Sequence, residues 1–197
     1  MKRKVIIDLD GIIFESIRES FARVAWSEYG RVKAGAIIIA YNLGIGCRGL
    51  RDEISNVLNK CAMSARPYSG AIDALGEIVR MPGVTVEFCS QVAFTENAAA
   101  LERYYRGIAP AMNDVAHYEL ISPFESKKDY LYKSTGAEKD GLNYVLDGPG
   151  GGKIKWPARW RTTPVLINTL DCDVHHVRSF PNLAMFKDFL KDQYHSR

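Results

Sequence analysis

The sequence has little of what marks membrane proteins or exported proteins. Its longest apolar stretch, at residues 34–41, is far shorter than the roughly 20 residues that cross a bilayer as a helix. A second apolar run follows the N-terminal MKRK, but Asp8 ends it before the core of a signal peptide could form. We therefore expect a soluble, cytoplasmic protein that has no membrane partner.

The cysteines are few and scattered. Cys47, Cys61, Cys89 and Cys172 include no CxxC pair, so the sequence suggests neither a disulfide framework nor a zinc knuckle. Reduced thiols are the simplest expectation for such cysteines.

Excess charge of one sign is also small, because 26 lysines and arginines stand against 23 acidic residues. A net charge of +3 favours anionic substrates only weakly and requires neither a nucleic acid nor a membrane. A chain of 197 residues, 47% of them hydrophobic, fits one compact domain with an insertion.

Short apolar runs alternate with helical patterns along most of the chain. The helical patterns include AIDALGEIV, TENAAALERYYRGI and, at the end, LAMFKDFLKDQY. This alternation predicts an α/β fold, a parallel sheet with helices on both faces and a site beyond the carboxyl ends of the strands. The predicted strands are residues 4–7, 84–90, 117–122, 143–147 and 164–168.

The segment VIIDLDGIIF carries the strongest chemical signal. Asp8 and Asp10 follow a buried strand, and Gly11 permits the tight turn that brings both carboxylates to one small volume. One carboxylate could attack phosphorus while the other, with a pKa raised by its neighbour, protonates the leaving oxygen. The alternative is a turn at the end of a strand with two solvated carboxylates.

This segment resembles the first motif of the haloacid dehalogenase superfamily. The resemblance implies a Rossmann-like parallel sheet with a helical cap inserted after the first strand, Asp8 as nucleophile and Asp10 as acid/base. The later motifs of that superfamily match Ser90 at the end of the second strand, Lys127 at a helix start and Asp147 at the end of a later strand.

These motifs imply a Mg²⁺ cofactor held by Asp8, Asp10 and Asp147, with Asp10 contributing its main-chain carbonyl. Lys128 is an alternative to Lys127 as the lysine of the third motif. Ser90 taken alone could equally be a helix-capping serine.

A closer resemblance, over about half of the chain, is to the 5'(3')-deoxyribonucleotidases. It runs through PYSGAIDALGEIVRMPGVTVEFCS and WRTTPVLINTLDCDVHHVRSFPNLAMFKDFLK. The resemblance implies a core of residues 1–14 and 67–197 and a cap of residues 15–66 that closes over a nucleotide. Trp26 and Tyr41 would then pack on the base, although ordinary packing within the cap is the alternative for each.

The expected substrate contacts are Gly11, Ser90, Gln91 and Lys128, besides the two aromatic residues. Three features depart from the deoxyribonucleotidase pattern: Ser90, Gln91 and Val92 replace Thr-Ser-Pro, the basic residue expected shortly afterwards is replaced around Phe94, and Gly148 replaces the second acid of the fourth motif. These departures weaken the substrate assignment more than the superfamily assignment.

Three further patterns are interpreted as structural. GPGGGK at residues 148–153 lacks the spacing and the Ser or Thr of a phosphate-binding loop. KIKWPARWR interleaves basic and aromatic residues, but a solvated loop explains it better than nucleic-acid binding. His175 and His176 are neighbours in a predicted strand, so we expect them to point to opposite faces and not to share a metal.

The sequence therefore predicts a Mg²⁺-dependent phosphomonoesterase whose partner is a small phosphorylated substrate, a deoxynucleoside monophosphate by resemblance. Two alternatives remain: a phosphatase for a sugar phosphate or a nucleic-acid terminal phosphate, and a non-catalytic descendant that binds a nucleotide or a protein. Self-association into a homodimer is left open.

Overall fold

The computed structural model describes residues 3–43, 48–91, 95–122, 127, 142–148, 162–168 and 178–195. Its centre is a six-stranded sheet in which every neighbouring pair of strands is parallel. This confirms the predicted α/β class. The strands are β1 (Arg3–Ile7), β2 (Val84–Ser90), β3 (His117–Leu120), β4 (Leu142–Asp147), β5 (Thr162–Ile167) and β6 (Arg178–Phe180).

The five predicted strands are all present, and β6 is an addition. Its sequence, Arg-Ser-Phe, is too short and too polar to give a strand pattern, and it gains its conformation by pairing with β5 at the sheet edge. The strand order is β3-β2-β1-β4-β5-β6, so β1 lies between β2 and β4.

The register of these three strands places their carboxyl ends side by side. Ile7, the last residue of β1, pairs with Phe88 of β2 and Leu146 of β4. Residues that directly follow these positions therefore meet at one edge of the sheet.

Three helices follow β1 and form the insert. They are α1 (Ile17–Glu28), α2 (Arg31–Asn42) and α3 (Arg51–Ser64), and α1 packs against both of the others. Two extended linkers connect the insert to the sheet and pair with each other through the bridge between Phe14 and Pro67. The main-chain N–H of Glu15 also donates to the carbonyl of Arg66, at 2.8 Å. The linkers lie at the two ends of the predicted cap.

Three further α-helices in the described part of the chain cover the sheet. They are α4 (Ala71–Val79), α5 (Thr95–Ile108) and α6 (Leu183–His195), as the sequence patterns predict. The buried guanidinium of Arg3 donates to the carbonyls of Leu190 and Gln193, at 3.4 and 2.7 Å. This contact fixes β1 to the carboxyl end of α6, where a positive charge is favourable.

No helix in the described part of the chain is both long enough and apolar enough to span a bilayer.

Candidate active site

Asp8 begins the turn that follows β1. Its main-chain N–H donates to the carbonyl of Leu146 at 3.0 Å, which continues the pairing with β4 by one residue. Gly11 has a φ of 75°, a conformation that costs glycine little, and its N–H donates to the carbonyl of Phe14 at 2.9 Å. The turn therefore closes on itself and directs Asp8 and Asp10 to the carboxyl edge of the sheet.

The Asp8 carboxylate is the centre of the site, and it is buried. Oδ1 accepts a hydrogen bond from the Ser90 hydroxyl and a longer one, 3.4 Å, from the main-chain N–H of Asp10. Oδ2 forms an ion pair with the ammonium group of Lys127. These three contacts hold the carboxylate in one orientation, as a nucleophile requires.

Ser90 is fully buried at the end of β2. Its hydroxyl donates a hydrogen bond to the carboxylate of Asp8 and so restrains the orientation of that carboxylate.

Lys127 brings a buried positive charge between two carboxylates. Its side chain is 8% exposed, and its ammonium nitrogen lies 3.7 Å from Oδ2 of Asp147 as well as in contact with Asp8. Burial acts to lower the pKa of Lys127, but the charges of Asp8 and Asp147 outweigh it and raise that pKa. Lys127 therefore remains charged at neutral pH and offsets the repulsion between the carboxylates.

Asp10 accepts a hydrogen bond from the main-chain N–H of Ile17, at 2.5 Å from Oδ1. Burial, and then the charge of Asp8, raise the pKa of Asp10 from 3.8 to about 7, while the Ile17 bond opposes the rise. A carboxyl group with a pKa near neutrality can both donate and accept a proton, which suits a general acid/base.

Asp147 ends β4 and turns its carboxylate towards Asp8 and Lys127. Its Oδ1 accepts from the main-chain N–H of Gly148 at 2.9 Å. Burial is the main cause that raises the pKa of Asp147, and the charge of Asp8 adds to it against the opposing charge of Lys127.

The oxygen atoms at this edge fit a magnesium ion in their chemistry. Asp8 and Asp147 offer carboxylates and Asp10 offers its main-chain carbonyl, which are the hard ligands Mg²⁺ prefers. The described residues contain no cluster of three or more side-chain ligands, and the Asp10 carboxylate bonds to Ile17. The predicted Asp10 ligand would therefore be the carbonyl, and Mg²⁺ would have to share Asp8 and Asp147 with Lys127.

The remaining predicted residues lie in different places. Gly11 lies in the turn beside Asp10, and Gln91 directly follows Ser90 and is partly buried. Lys128 lies outside the described residues, so the structure leaves it as an alternative to Lys127.

The two aromatic residues expected to contact a base have different environments. Tyr41 stacks on Phe21 with ring centroids 3.9 Å apart. Burial raises its pKa to about 12, and the charge of Asp10 adds to the rise, which places Tyr41 within electrostatic reach of the site. Trp26, in contrast, is 50% exposed on α1.

A polar cavity of about 300 Å³ lies where the linkers meet α1. A neighbouring cavity shares part of its lining and adds Arg66. The first cavity is lined by Glu15, Ser16, Ser20, Arg23, Ser64 and Tyr68, among others.

The sequence did not predict two groups that contact the candidate site. One is the main-chain N–H of Ile17, which donates to Asp10, and the other is the side chain of Asn168, which donates to the carbonyl of Gly11 at 2.5 Å. Ile17 has no signal because any residue except proline carries that N–H. For Asn168 the sequence offers only a weak signal, namely its position at the end of a predicted strand. Trp156, Trp160, His175 and His176 lie outside the described residues, as does the glycine-rich run after Gly148.

Comparison with solved structures identifies the fold as that of the haloacid dehalogenase-like hydrolases. A haloacid dehalogenase-like hydrolase from Burkholderia xenovorans LB400 is similar with a TM-score of 0.62 and 12% identity, over 98% of each chain. A phosphoserine phosphatase in its apo form is similar with a TM-score of 0.54 and 11% identity, over 97% of this chain and 98% of the other. No family model and no curated protein sequence matches the chain.

Proposed function

We propose that the chain is a Mg²⁺-dependent phosphomonoesterase that forms an aspartyl-phosphate on Asp8, with a deoxynucleoside monophosphate as substrate. The observation that carries the proposal is the set of contacts around Asp8. Ser90 from β2 and Lys127 are far from Asp8 in the chain, yet both contact its carboxylate, and Asp147 at the end of β4 lies on the other side of the Lys127 ammonium group.

The first step uses Asp8 as the nucleophile. A carboxylate oxygen forms a bond to phosphorus while the bond from phosphorus to the leaving oxygen breaks. Asp10 donates its proton to that oxygen, for which its pKa of about 7 is suited. Lys127 offsets the negative charge that gathers on Asp8 and the phosphoryl oxygens.

The second step returns the site to its starting state. Asp10, now ionised, takes a proton from a water molecule, whose oxygen attacks phosphorus and releases Asp8 with inorganic phosphate. Bound Mg²⁺ would neutralise charge on the phosphoryl group and on the carboxylates during both steps.

The nucleotide part of the proposal rests on the resemblance to deoxyribonucleotidases and on Tyr41. This ring belongs to the insert, where it stacks on Phe21, and the charge of Asp10 contributes to its raised pKa. The exposed Trp26 offers less support for base stacking.

A second candidate is a small and more polar phosphoester such as a sugar phosphate, and it requires that the polar cavity beside the linkers opens towards Asp10. The serine hydroxyls of this cavity, together with Glu15 and Arg23, suit hydroxyl or charged groups better than a nucleobase.

A substrate panel tests the proposal. Phosphate release would be measured with Mg²⁺ and with EDTA on 5'- and 3'-deoxynucleotides, ribonucleotides, sugar phosphates, O-phosphoserine and a 5'-phosphorylated oligonucleotide. Preference for deoxynucleotides supports the proposal, and preference for another ester supports the second candidate. An absence of hydrolysis throughout the panel would leave a binding protein.

The nucleophile is tested by Asp8→Asn, which keeps the shape of the side chain. We expect it to fold and to lose activity by about 10⁴-fold or more, because covalent catalysis requires the carboxylate. Glu87→Gln is the matched control, since it neutralises a buried carboxylate paired with Lys4 at 3.0 Å in the same sheet. Substantial turnover by Asp8→Asn, or an equal loss in both variants, would contradict the assignment.

A further inference from the structure

Asn168 lies at the same edge of the sheet as the catalytic groups. It directly follows β5, whose Leu166 pairs with Asp147 at the end of β4. The carboxyl ends of β1, β4 and β5 therefore lie in sequence along this edge, with the turn after β1 between Asp8 and the insert.

The side chain of Asn168 contacts the backbone of that turn. Its amide nitrogen donates to the carbonyl of Gly11 at 2.5 Å. Gly11 is the flexible residue of the turn, with a φ of 75°, and its own N–H bonds to the carbonyl of Phe14. Hydrogen bonds on both sides of Gly11 restrict the rotation that glycine otherwise allows.

The end of β4 supports the same turn from another direction. A Cβ atom placed on Gly148 would lie 3.2 Å from the carbonyl oxygen of Asp10 and 3.3 Å from the Cα of Gly11. The turn is thus in close contact with Gly148 and hydrogen-bonded to Asn168. Movement of the Gly11 carbonyl would also move the adjoining peptide, which carries the carbonyl of Asp10.

The backbone of Asn168 has an uncommon conformation. Among the described residues it is the only non-glycine residue with a positive φ, 61°. Asparagine tolerates this region better than most residues, so the backbone alone could explain its presence here. A test must therefore separate the conformation from the hydrogen bond.

We propose that Asn168 is a positioning residue, whose side-chain amide fixes the turn at Gly11 and thereby holds the carbonyl of Asp10 and the carboxylate of Asp8 in their working places. The inference rests on the proposed phosphatase function for its catalytic consequence, but the anchoring itself can be measured without turnover.

Two substitutions distinguish a requirement for the backbone conformation of Asn168 from a requirement for its side-chain hydrogen bond. Asn168→Gly accepts the positive φ at no steric cost but has no side chain. Asn168→Asp keeps the shape and the tolerance for positive φ but has no N–H to donate. A residue needed only for its backbone conformation would be replaced well by glycine, whereas a residue needed as a donor would be replaced by neither.

The experiment combines turnover, Mg²⁺ affinity and amide exchange. We expect both variants to fold and kcat to fall by about tenfold or more, because small displacements of reacting groups have large effects on rate. Calorimetry without substrate should show weaker Mg²⁺ binding by Asn168→Gly, and the Gly11 amide should exchange faster with solvent in both variants. The Asp8 amide, bonded to Leu146, is the internal control.

The outcomes distinguish the positioning role of Asn168 from the proposed phosphatase function. Wild-type kcat and Mg²⁺ affinity in Asn168→Gly, or unchanged exchange at Gly11 in both variants, would overturn the positioning role. If the wild-type chain hydrolyses no phosphoester, the proposed function fails, and exchange at Gly11 still decides whether Asn168 anchors the turn.

Discussion

The main-chain N–H of Ile17 donates a hydrogen bond to Oδ1 of Asp10, and Ile17 is the first residue of α1. The first helix of the insert therefore begins in contact with the Asp10 carboxylate, which is proposed to transfer the proton. The positive end of the helix dipole and this hydrogen bond both favour the ionised form of Asp10. The hydrogen bond from Ile17 opposes the rise in the pKa of Asp10 that burial causes.

Replacement of Ile17 by proline should remove this bond and leave the helix intact. Proline is well tolerated as the first helical residue, and the preceding Ser16 already has the extended conformation that proline requires, with φ −64° and ψ 122°. We expect turnover of alkyl phosphates to fall about tenfold or more, since general acid–base catalysis depends on geometry. Activated aryl phosphates should be affected less, because their leaving groups need little protonation.

The control for this variant is Ile17→Val, which trims the buried side chain but retains the N–H. It should keep the wild-type ratio of alkyl to aryl turnover. An unchanged ratio in Ile17→Pro would mean that α1 does not position Asp10.

The sequence was sufficient for the parts of the site that depend on strand ends. Asp8 and Asp10 could be placed at the carboxyl edge because they follow a buried strand, and the resemblance to the haloacid dehalogenase motifs then selected Ser90 and Asp147 at the ends of other strands that share this edge. The Ile17 amide and the Asn168 side chain could not be found in this way. Each contacts a partner through tertiary geometry that leaves no periodic signal in the sequence.

The catalytic contributions of Lys127 and Lys128 can be compared directly by substitution. Lys127→Met should lower kcat by about 100-fold or more, because it removes the positive charge between Asp8 and Asp147. Lys128→Met should have a much smaller effect if Lys127 is the lysine of the third motif. Steady-state kinetics on the best substrate of the panel would decide, and the reverse order of effects would assign the role to Lys128.

Asp10 and Asp147 should make the metal-free protein progressively less stable as the pH rises between about 4 and about 7. The pKa of Asp10 is about 7 in the folded chain against an ordinary 3.8, so the folded state binds more protons than the unfolded state in this window. The pKa of Asp147 is raised in the same sense. Urea unfolding in EDTA would measure the free energy of unfolding across the window.

Asp10→Asn and Asp147→Asn are the controls for this dependence, since each removes one titrating group. Both variants should show a shallower fall in stability than the wild-type protein. Added Mg²⁺ should stabilise the wild-type protein more at the high end of the window, because it binds ionised carboxylates. Equal slopes in all three proteins would contradict the assigned protonation states.

Restoring the missing acid of the fourth motif at Gly148 should not strengthen Mg²⁺ binding, because the space at this position is too small for a side chain. A side chain there would meet the carbonyl of Asp10 at 3.2 Å and the Cα of Gly11 at 3.3 Å, so the turn would have to move. We expect Gly148→Asp and Gly148→Ala both to lower the free energy of unfolding, by about 1–3 kcal/mol for such overpacking. Both should also weaken Mg²⁺ binding measured by calorimetry. Gly107→Ala in α5, where a Cβ meets open space, is the control and should be neutral or stabilising. Tighter Mg²⁺ binding by Gly148→Asp would show instead that the turn can yield, and that the glycine limits metal affinity through its missing charge.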